Sequence, residues 1–384
     1  MHALKLIIRN ALRHKIRTGL TVIGLLVAVL AYGLLQTVVD AWYAGADAAS
    51  KTRLITRSAI SLAFTLPVSY EARIRAVEGV TTVGRSSWFG AIYKEPKNFF
   101  PQFAVSANYL DLYSEFLLPE AERQAWVRDR KGALVGRQLA DQYGFKVGDV
   151  IPLRGTIYPG DWQFVVRGIF DGADDTKITR QLLFHWEYLN EWLNQRAGRR
   201  ANQVGVYIVG INAPDRAAEV SRTVDAQFQN SVAETLTETE QAFQLSFVSM
   251  SNEIIAAIQL VSYVVILIIM AVMANTMAMS ARERTSEYAM LKALGFGPGF
   301  VALLLFGESL AICVVGGGAG LLLTPYAAAG FKQAVGGLFP IFAVSQSTVL
   351  LQALCAFAVG VAAAIVPAVQ ASRVRIVEGL RAVG

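Results

Sequence analysis

The sequence predicts an α-helical membrane protein with four transmembrane helices and a large mixed α/β extracytoplasmic domain inserted between helices 1 and 2. Four apolar segments reach the roughly 20 residues that cross a hydrocarbon core of about 30 Å. They cover residues 19–39, 254–277, 300–329 and 349–369. The long polar stretch between the first two segments is large enough to bury a core of its own.

These observations set the boundaries along the chain. The predicted segments are a leader at 1–17, spans at 18–40, 251–277, 299–329 and 348–370, the inserted domain at 41–250, a connecting loop at 278–298, an outer loop at 330–347 and a tail at 371–384.

The leader is basic and carries no acid. Its charges are Lys5, Arg9, Arg13, Lys15 and Arg17, and Leu4, Ile7, Ile8, Leu12 and Ile16 recur between them at helical spacing. This pattern is typical of an amphipathic helix that lies in the membrane interface. An ordinary basic flank that only orients the first span explains the charges equally well.

A cleavable signal peptide is an alternative for the first span, because Ala46–Ala48 reads Ala-Asp-Ala, a small-residue pattern. The apolar region of a signal peptide is only about 7–15 residues long. The apolar run here is longer, which favours an uncleaved transmembrane helix.

Basic residues near the spans predict the orientation. The connecting loop contains Arg282, Arg284 and Lys292, and the tail contains Arg373, Arg375 and Arg381, whereas the outer loop contains only Lys332. Because Lys and Arg in short loops favour the cytoplasmic side, both termini and the connecting loop are expected in the cytoplasm. The expected location is the bacterial inner membrane, with a periplasmic inserted domain.

The net charge of +6 lies on these membrane-proximal pieces. In residues 41–250 the 23 Lys and Arg are balanced by 23 Asp and Glu. A nucleic-acid-binding domain would carry a basic face, so nucleic acid is not an expected partner. Basic residues beside the membrane favour contact with anionic lipid headgroups.

The inserted domain has a mixed α/β texture. Residues 161–171 and 203–211 alternate apolar and polar side chains as strands do. Asn212 is expected to cap a helix that buries Val220, Val224 and Phe228 on one face. Both cysteines, Cys313 and Cys355, fall in predicted spans, so no disulfide is expected in the inserted domain.

Motifs for catalysis, cofactors and metals are missing from the sequence. The stretch 172–177, Gly-Ala-Asp-Asp-Thr-Lys, lacks the second glycine of a phosphate-binding loop. The three histidines, His2, His14 and His185, do not form a zinc set. We therefore expect no catalytic residue, no metal site and no directly bound cofactor.

Two features within the third span have specific interpretations. Gly316 and Gly320 form a small-xxx-small pair, which lets another helix approach closely. Glu308 is the single charged residue in the four apolar segments. An acid inside a span usually faces a partner or a wet cavity, although placement near the membrane surface, beside Ser309, is the simpler alternative.

The connecting loop contains an unusual helix between two spans. It carries charges of both signs, becomes apolar at Met290, Leu291 and Leu294, ends at Gly295, and is followed by a new helix at Pro298. Such a surface suits docking of a soluble partner with a charged rim. Its candidate charges are Arg282, Glu283, Arg284 and Glu287.

The segment Ser280–Val301 resembles the coupling-helix region of the FtsX-like, MacB-type permeases of ABC transporters. Glu283, Arg284, Glu287, Lys292, Ala293, Leu294 and Gly295 match its E-R-[TK]-x-E-[IY]-x-x-x-[KR]-A-L-G pattern, and Tyr288 and Phe296 are less typical of it. Three further segments are similar to this family: residues 9–29, residues 133–171, and the tail with Pro367, Ala371, Glu378 and Leu380 in register.

The resemblance implies a permease subunit that pairs as a homodimer, or as a heterodimer with a paralogous permease. It implies a separate cytoplasmic ABC ATPase that holds ATP and Mg²⁺, contact with membrane lipid, and in some members a periplasmic adaptor protein. The expected ATPase-coupling residues are Arg282, Glu283, Arg284, Glu287, Lys292, Leu294 and Gly295.

The same resemblance implies mechanotransmission, in which ATP-driven motion reaches the inserted domain for export or extraction of a hydrophobic, lipid, lipoprotein or peptide cargo. An FtsX-like signalling permease that activates a periplasmic partner without transport is the alternative. An anchored periplasmic enzyme would need a catalytic constellation, which the sequence lacks.

Overall fold

The computed structural model describes residues 13–173, 179–196, 200–335 and 342–374. The chain forms two compact units, one made by the chain up to Trp42 and from Ser251 onward, and the other by Tyr43–Met250. We call them the helical unit and the inserted domain. Several predicted features lie outside the described residues: the leader up to residue 12, most of the stretch 172–177, part of the outer loop, and the tail from residue 375 with Arg375, Glu378, Leu380 and Arg381.

The helices are α1 (Lys15–Asp47), α2 (Tyr70–Arg75), α3 (Tyr109–Leu112), α4 (Glu120–Arg128), α5 (Arg137–Tyr143), α6 (Trp186–Arg196), α7 (Ala217–Gln227), α8 (Glu240–Ser249), α9 (Asn252–Glu283), α10 (Thr285–Ala293), α11 (Pro298–Val335) and α12 (Gln346–Ser372). We call α1, α9, α11 and α12 the first to fourth membrane helices, and α10 the connecting helix.

The four membrane helices confirm the predicted fold class. Among the described residues, these four helices are long and apolar enough to cross a membrane. They extend beyond the apolar segments: the first continues to Asp47 and the second to Glu283. Hydropathy marks only the part that matches the hydrocarbon core, whereas backbone hydrogen bonds continue a helix into polar sequence.

The chain direction changes twice around the connecting helix. The sequence predicts a helix that continues from Ala281, but the structure breaks it at Arg284, which has φ −108° and ψ 18°. At the other end Gly295 has φ +93°, and the amide of Phe296 donates to the carbonyl of Leu291 at 3.1 Å. This is a Schellman ending, for which glycine is favoured. The expected stop at Gly295 and start at Pro298 are therefore confirmed.

The inserted domain is built on one large mixed sheet. Its strands are β1 (Arg53–Ser58), β2 (Leu66–Pro67), β3 (Val80–Trp88), β4 (Ala91–Ile92), β5 (Gln102–Val105), β6 (Phe116–Leu117), β7 (Gly132–Gly136), β8 (Val150–Gly155), β9 (Gly160–Gly172), β10 (Leu182–His185), β11 (Gln203–Val204), β12 (Val206–Ile211) and β13 (Thr235–Thr239). The order is β13-β1-β12-β3-β5-β10-β7-β9-β8-β4, with β6 on β9 and with β11 paired to β2 separately.

Apolar alternation predicted two of these strands correctly. Trp162, Phe164 and Val166 of β9 are buried in the core of the domain, as period-two alternation requires. The helix after β12 also buries its predicted face. It begins with a 3₁₀ turn capped by Ala213, so the prediction of Asn212 as the cap is wrong.

Buried ion pairs connect the first strand of the inserted domain with its last helix, α8. The Arg53 Nη2 of β1 lies 2.9 Å from Glu240 Oε2 at the start of α8 and 2.5 Å from Glu115 Oε1. The amide of Ser50 donates to the same Glu240 oxygen at 2.8 Å. Burial by itself lowers the pKa of Arg53, but the hydrogen bond with Glu115 and the charge of Glu240 outweigh it and raise the pKa.

Candidate coupling site at the connecting helix

A buried ion pair fixes the start of the connecting helix. Arg284 Nη1 lies 2.9 Å from Glu308 Oε2 on the third membrane helix, and the two residues are 3% and 5% exposed. Buried charges are tolerated only when they are paired. The partner that an intramembrane acid requires is therefore Arg284. The alternative, placement of Glu308 near the membrane surface, concerns its depth in the bilayer and stays a prediction.

Two neighbours complete the surroundings of this pair. Tyr288 is buried beside it, and burial raises the pKa of Tyr288 to about 12. Its phenol therefore stays neutral at physiological pH and adds no charge. Ser309, next to Glu308 in sequence, donates through Oγ to the carbonyl of Gly360 on the fourth membrane helix at 2.6 Å. Consecutive residues of the third helix thus face the connecting helix and the fourth helix.

The two acids of the predicted docking surface face the basic start of the first membrane helix. Arg17 donates from Nη2 to Glu283 Oε1 at 2.6 Å and from Nη1 to Glu283 Oε2 at 2.8 Å. Arg13 pairs with Glu287. The hydrogen bond with Glu287 raises the pKa of Arg13. Both glutamate side chains remain about 40% exposed, at 40% and 43%, and solvated pairs of this kind contribute only about 0–1 kcal/mol each.

Lys292 joins the connecting helix to the end of the fourth membrane helix. Its Nζ donates to the carbonyl oxygens of Ser372 at 2.7 Å and Val374 at 2.8 Å. The last carbonyls of a helix lack partners within the helix and carry partial negative charge, so a lysine there is favourable. This contact fixes where the fourth helix ends relative to the connecting helix.

The remaining predicted residues lie on the surface. Arg282 and Gly295 are exposed, and Leu294 is 71% exposed. Met290 and Phe296 add exposed apolar area beside Leu294. Part of the predicted set is thus turned inward, and the outermost part of the connecting segment is a short apolar turn. The ATPase-coupling role of these residues remains a prediction.

The two glycines of the third helix lie against the backbone of the first. A Cβ atom at Gly316 would be 2.8 Å from the carbonyl oxygen of Val22, and one at Gly320 would be 2.9 Å from that of Leu26. Both separations are shorter than side chains tolerate, so glycine permits this close approach.

Metal binding has no candidate among the residues that the structure describes. No group of three or more His, Cys, Asp or Glu side chains in these ranges could hold an ion. His185 stacks on Trp126 with ring centroids 4.2 Å apart, and its Nε2 lies 2.8 Å from the Trp126 carbonyl oxygen. It is a buried histidine with a backbone partner.

Comparison with known proteins identifies the type of chain. Residues 260–376 match the FtsX-like permease C-terminal family. Over 223 residues the chain is 27% identical to the macrolide export ATP-binding/permease protein MacB of Sodalis glossinidius (strain morsitans). The aligned part is 56% of this chain and 33% of MacB, so the chain spans about a third of that relative.

Two solved structures each match about half of the chain. The extracellular domain of the noncanonic ABC-type transporter YknZ from Gram-positive bacteria has a TM-score of 0.35 and 11% identity, with 49% of this chain and 98% of that chain covered. A domain of a putative permease protein from Porphyromonas gingivalis has a TM-score of 0.35 and 14% identity, with 49% and 90% covered.

The fold and the connecting helix define a multi-pass membrane protein with a large α/β domain between its first two membrane helices. Within it, residues 260–376 are similar to the FtsX-like permease C-terminal family. The resemblance to FtsX-like, MacB-type ABC transporter permeases is confirmed.

Proposed function

We propose that this chain is the permease subunit of an ABC transporter and transmits ATP-driven motion from a separate ATPase to its inserted domain. One observation carries the proposal: the connecting helix is attached to all four membrane helices. It follows the second and precedes the third in sequence, and Arg284 at its start pairs with Glu308 of the third. Its Glu287 pairs with Arg13, just before the first helix, and its Lys292 binds a carbonyl at the end of the fourth. Arg17 of the first helix pairs with Glu283 at the end of the second. A displacement of this short helix therefore acts on the whole helical unit.

Continuous helices support transmission to the inserted domain. The first membrane helix runs for 33 residues from Lys15 to Asp47, a length of about 50 Å at 1.5 Å per residue. On the return path α8 ends at Ser249 and the second membrane helix begins at Asn252. Both connections are thus largely helical, and a hydrogen-bonded helix resists bending better than a flexible linker.

The proposal includes the side of the membrane and the partners. Both termini and the connecting helix face the cytoplasm of a bacterial inner membrane, and the inserted domain lies in the periplasm. The partner ATPase supplies ATP and Mg²⁺, the permease acts as a dimer in contact with membrane lipid, and a periplasmic adaptor protein assists where the cargo must travel further. The similarity to MacB, whose name includes both ATP binding and permease, supports an ATPase partner.

The cargo is proposed to be hydrophobic, a lipid, a lipoprotein or a peptide, engaged by the inserted domain. The helical unit supports this choice, because Glu308 is paired with Arg284 and the contacts at Gly316 and Gly320 are close. Closely packed helices with a neutralised acid leave little to line a polar passage.

The test is recovery of an ATPase with the tagged full chain, purified in mild detergent. We expect an ABC ATPase to co-purify in near-equal amount. Leu294→Glu should reduce its recovery, because it places a charge on the exposed apolar turn. The matched control is Val232→Glu in the inserted domain, where the apolar side chain is likewise exposed to solvent. Absence of any ATPase, or equal recovery with both variants, would contradict the proposal.

A further inference from the structure

The fourth membrane helix is held to the first by hydrogen bonds at the end opposite the connecting helix. Ser345 Oγ and Thr348 Oγ1 each donate to Asp40 Oδ2 at 2.6 Å. Ser345 also caps the fourth helix by accepting from the Thr348 amide at 3.0 Å. The start of the fourth helix is thus fixed to a carboxylate on the first helix.

One turn further along the fourth helix, a buried amide joins three membrane helices. Gln352 Nε2 donates to the carbonyl of Val29 on the first helix and to Thr324 Oγ1 on the third, both at 2.8 Å. Gln352 and Thr324 are both fully buried. Gly33 leaves the space for this amide, since a Cβ atom there would lie 1.9 Å from Gln352 Nε2.

Such contacts matter more in a membrane than their number indicates. Apolar side chains pack against lipid tails about as well as against each other, so close packing and hydrogen bonds decide which helices stay together. The amide oxygen of Gln352 has no hydrogen-bond partner among the described residues. An unpaired buried oxygen is unfavourable, so the oxygen does not account for an amide at this position. The two hydrogen bonds that Nε2 donates do.

The opposite end of the fourth helix carries Lys292, whose ammonium group binds the carbonyls of Ser372 and Val374. The fourth helix therefore touches the connecting helix at one end and the first helix at the other. The first helix then continues without a break to Asp47.

We infer that Gln352, supported by Asp40, is a positioning residue that makes the first and fourth membrane helices move as one body. Motion of the connecting helix then passes through the fourth helix to the first helix and on to the inserted domain. This inference rests on the proposed function and adds the route. The competing route is the second membrane helix, which is linked covalently to the connecting helix and is the least buried of the four.

The experiment measures hydrogen–deuterium exchange in the full chain, reconstituted in lipid nanodiscs with the ATPase that co-purifies. Samples without nucleotide are compared with samples trapped by ATP and vanadate. Amide exchange is followed in two segments: residues 285–295 at the connecting helix, and residues 48–58 after the first membrane helix. In the wild-type chain, trapping should change exchange in both.

Gln352→Leu should retain the change at 285–295 and reduce the change at 48–58 by about threefold, the factor to which one average interhelical hydrogen bond corresponds. Thr348→Val, which removes a single hydrogen bond to Asp40, is the second variant and serves if Gln352→Leu fails to insert. Ser262→Ala is the matched control, because in the described part of the chain the buried Ser262 hydroxyl bonds only the Ile258 carbonyl of its own helix.

The outcomes separate the two proposals. An undiminished response at 48–58 in both Gln352→Leu and Thr348→Val would overturn the route through the fourth helix and favour the second helix. A wild-type complex without any change at 285–295, or no co-purified ATPase, would refute the proposed function and this inference with it. A reduced exchange response at 48–58 in Gln352→Leu and Thr348→Val, with a normal response in Ser262→Ala, supports the inference.

Discussion

Arg284 and Glu308 form a buried ion pair between the start of the connecting helix and the third membrane helix, with Nη1 2.9 Å from Oε2. Arg284 lies at the break between the second membrane helix and the connecting helix. Its side chain therefore fixes the direction in which the connecting helix leaves the second membrane helix. The acid that stands out in the third span is the anchor of this turn.

Removing one member of the pair should destabilise the protein strongly. Arg284→Met leaves Glu308 buried without its cationic partner, which costs about 3–5 kcal/mol for pairs of this kind. Replacing both, as Arg284→Met with Glu308→Leu, should restore most of the loss, because an apolar pair avoids the cost of burying charge. Thermal unfolding of the full chain in detergent measures both effects. Equal stability of the single variant and the wild type would contradict the buried pair.

Lys292→Met should loosen the end of the fourth membrane helix. The variant loses the charged donor for the carbonyls of Ser372 and Val374, so amide exchange at residues 368–373 should increase while membrane insertion stays normal. Stimulation of ATP hydrolysis by the permease should fall as well. Lys332→Met is the control, since Lys332 is exposed on the third helix. The contact would be unimportant if both variants exchanged at the wild-type rate.

Gly316→Ala should disturb the packing of the third helix on the first. The new methyl group would meet the Val22 carbonyl oxygen at 2.8 Å, so the helices must separate. Gly318→Ala makes the same change two residues away, where nothing lies within 4 Å. It should be neutral or stabilising by about 0.5–1 kcal/mol, the usual gain of Ala over Gly within a helix. Similar unfolding temperatures for the two variants would contradict the close approach.

The proposed orientation predicts a labelling pattern. Cysteines introduced by Asp161→Cys and Ser286→Cys should be labelled to different extents in cells with a permeabilised outer membrane and an intact inner membrane. An impermeant maleimide should reach the first, in the inserted domain, and not the second, in the connecting helix, because basic flanks hold the latter in the cytoplasm. Lysed cells control for reactivity. Labelling of Ser286→Cys alone would invert the topology.

The sequence predicted features that depend on neighbouring residues. Apolar runs mark the four membrane helices because the bilayer requires a minimum length, and Gly295 followed by Pro298 marks the end of the connecting helix because both residues restrict the backbone locally. The glycine pair in the third span is likewise visible in sequence. Which helix lies against it is not, since that depends on tertiary packing.

The contacts of the site depended on residues far apart in the chain. Arg284 and Glu308 are 24 positions apart, and Lys292 binds carbonyls 80 and 82 positions away. Charge alone could not show that these side chains point inward. The sheet order could not be predicted from the sequence either, because β1 pairs with β12 and β13. These two strands lie far from β1 along the chain.

The most direct test of the central claim is a distance measurement during ATP trapping. Nitroxide labels at Val232→Cys in the inserted domain and Lys332→Cys on the third membrane helix report motion of the domain relative to the helices. Cys355 is replaced by Ala in the labelled chain, and Cys313 is retained because it is buried. The distances are recorded by double electron–electron resonance in nanodiscs with the co-purified ATPase.

Transmission through the connecting helix predicts that trapping with ATP and vanadate shifts the distance distribution in the wild-type chain and that Lys292→Met diminishes the shift. An unchanged distribution in a complex that binds and hydrolyses ATP would contradict the account.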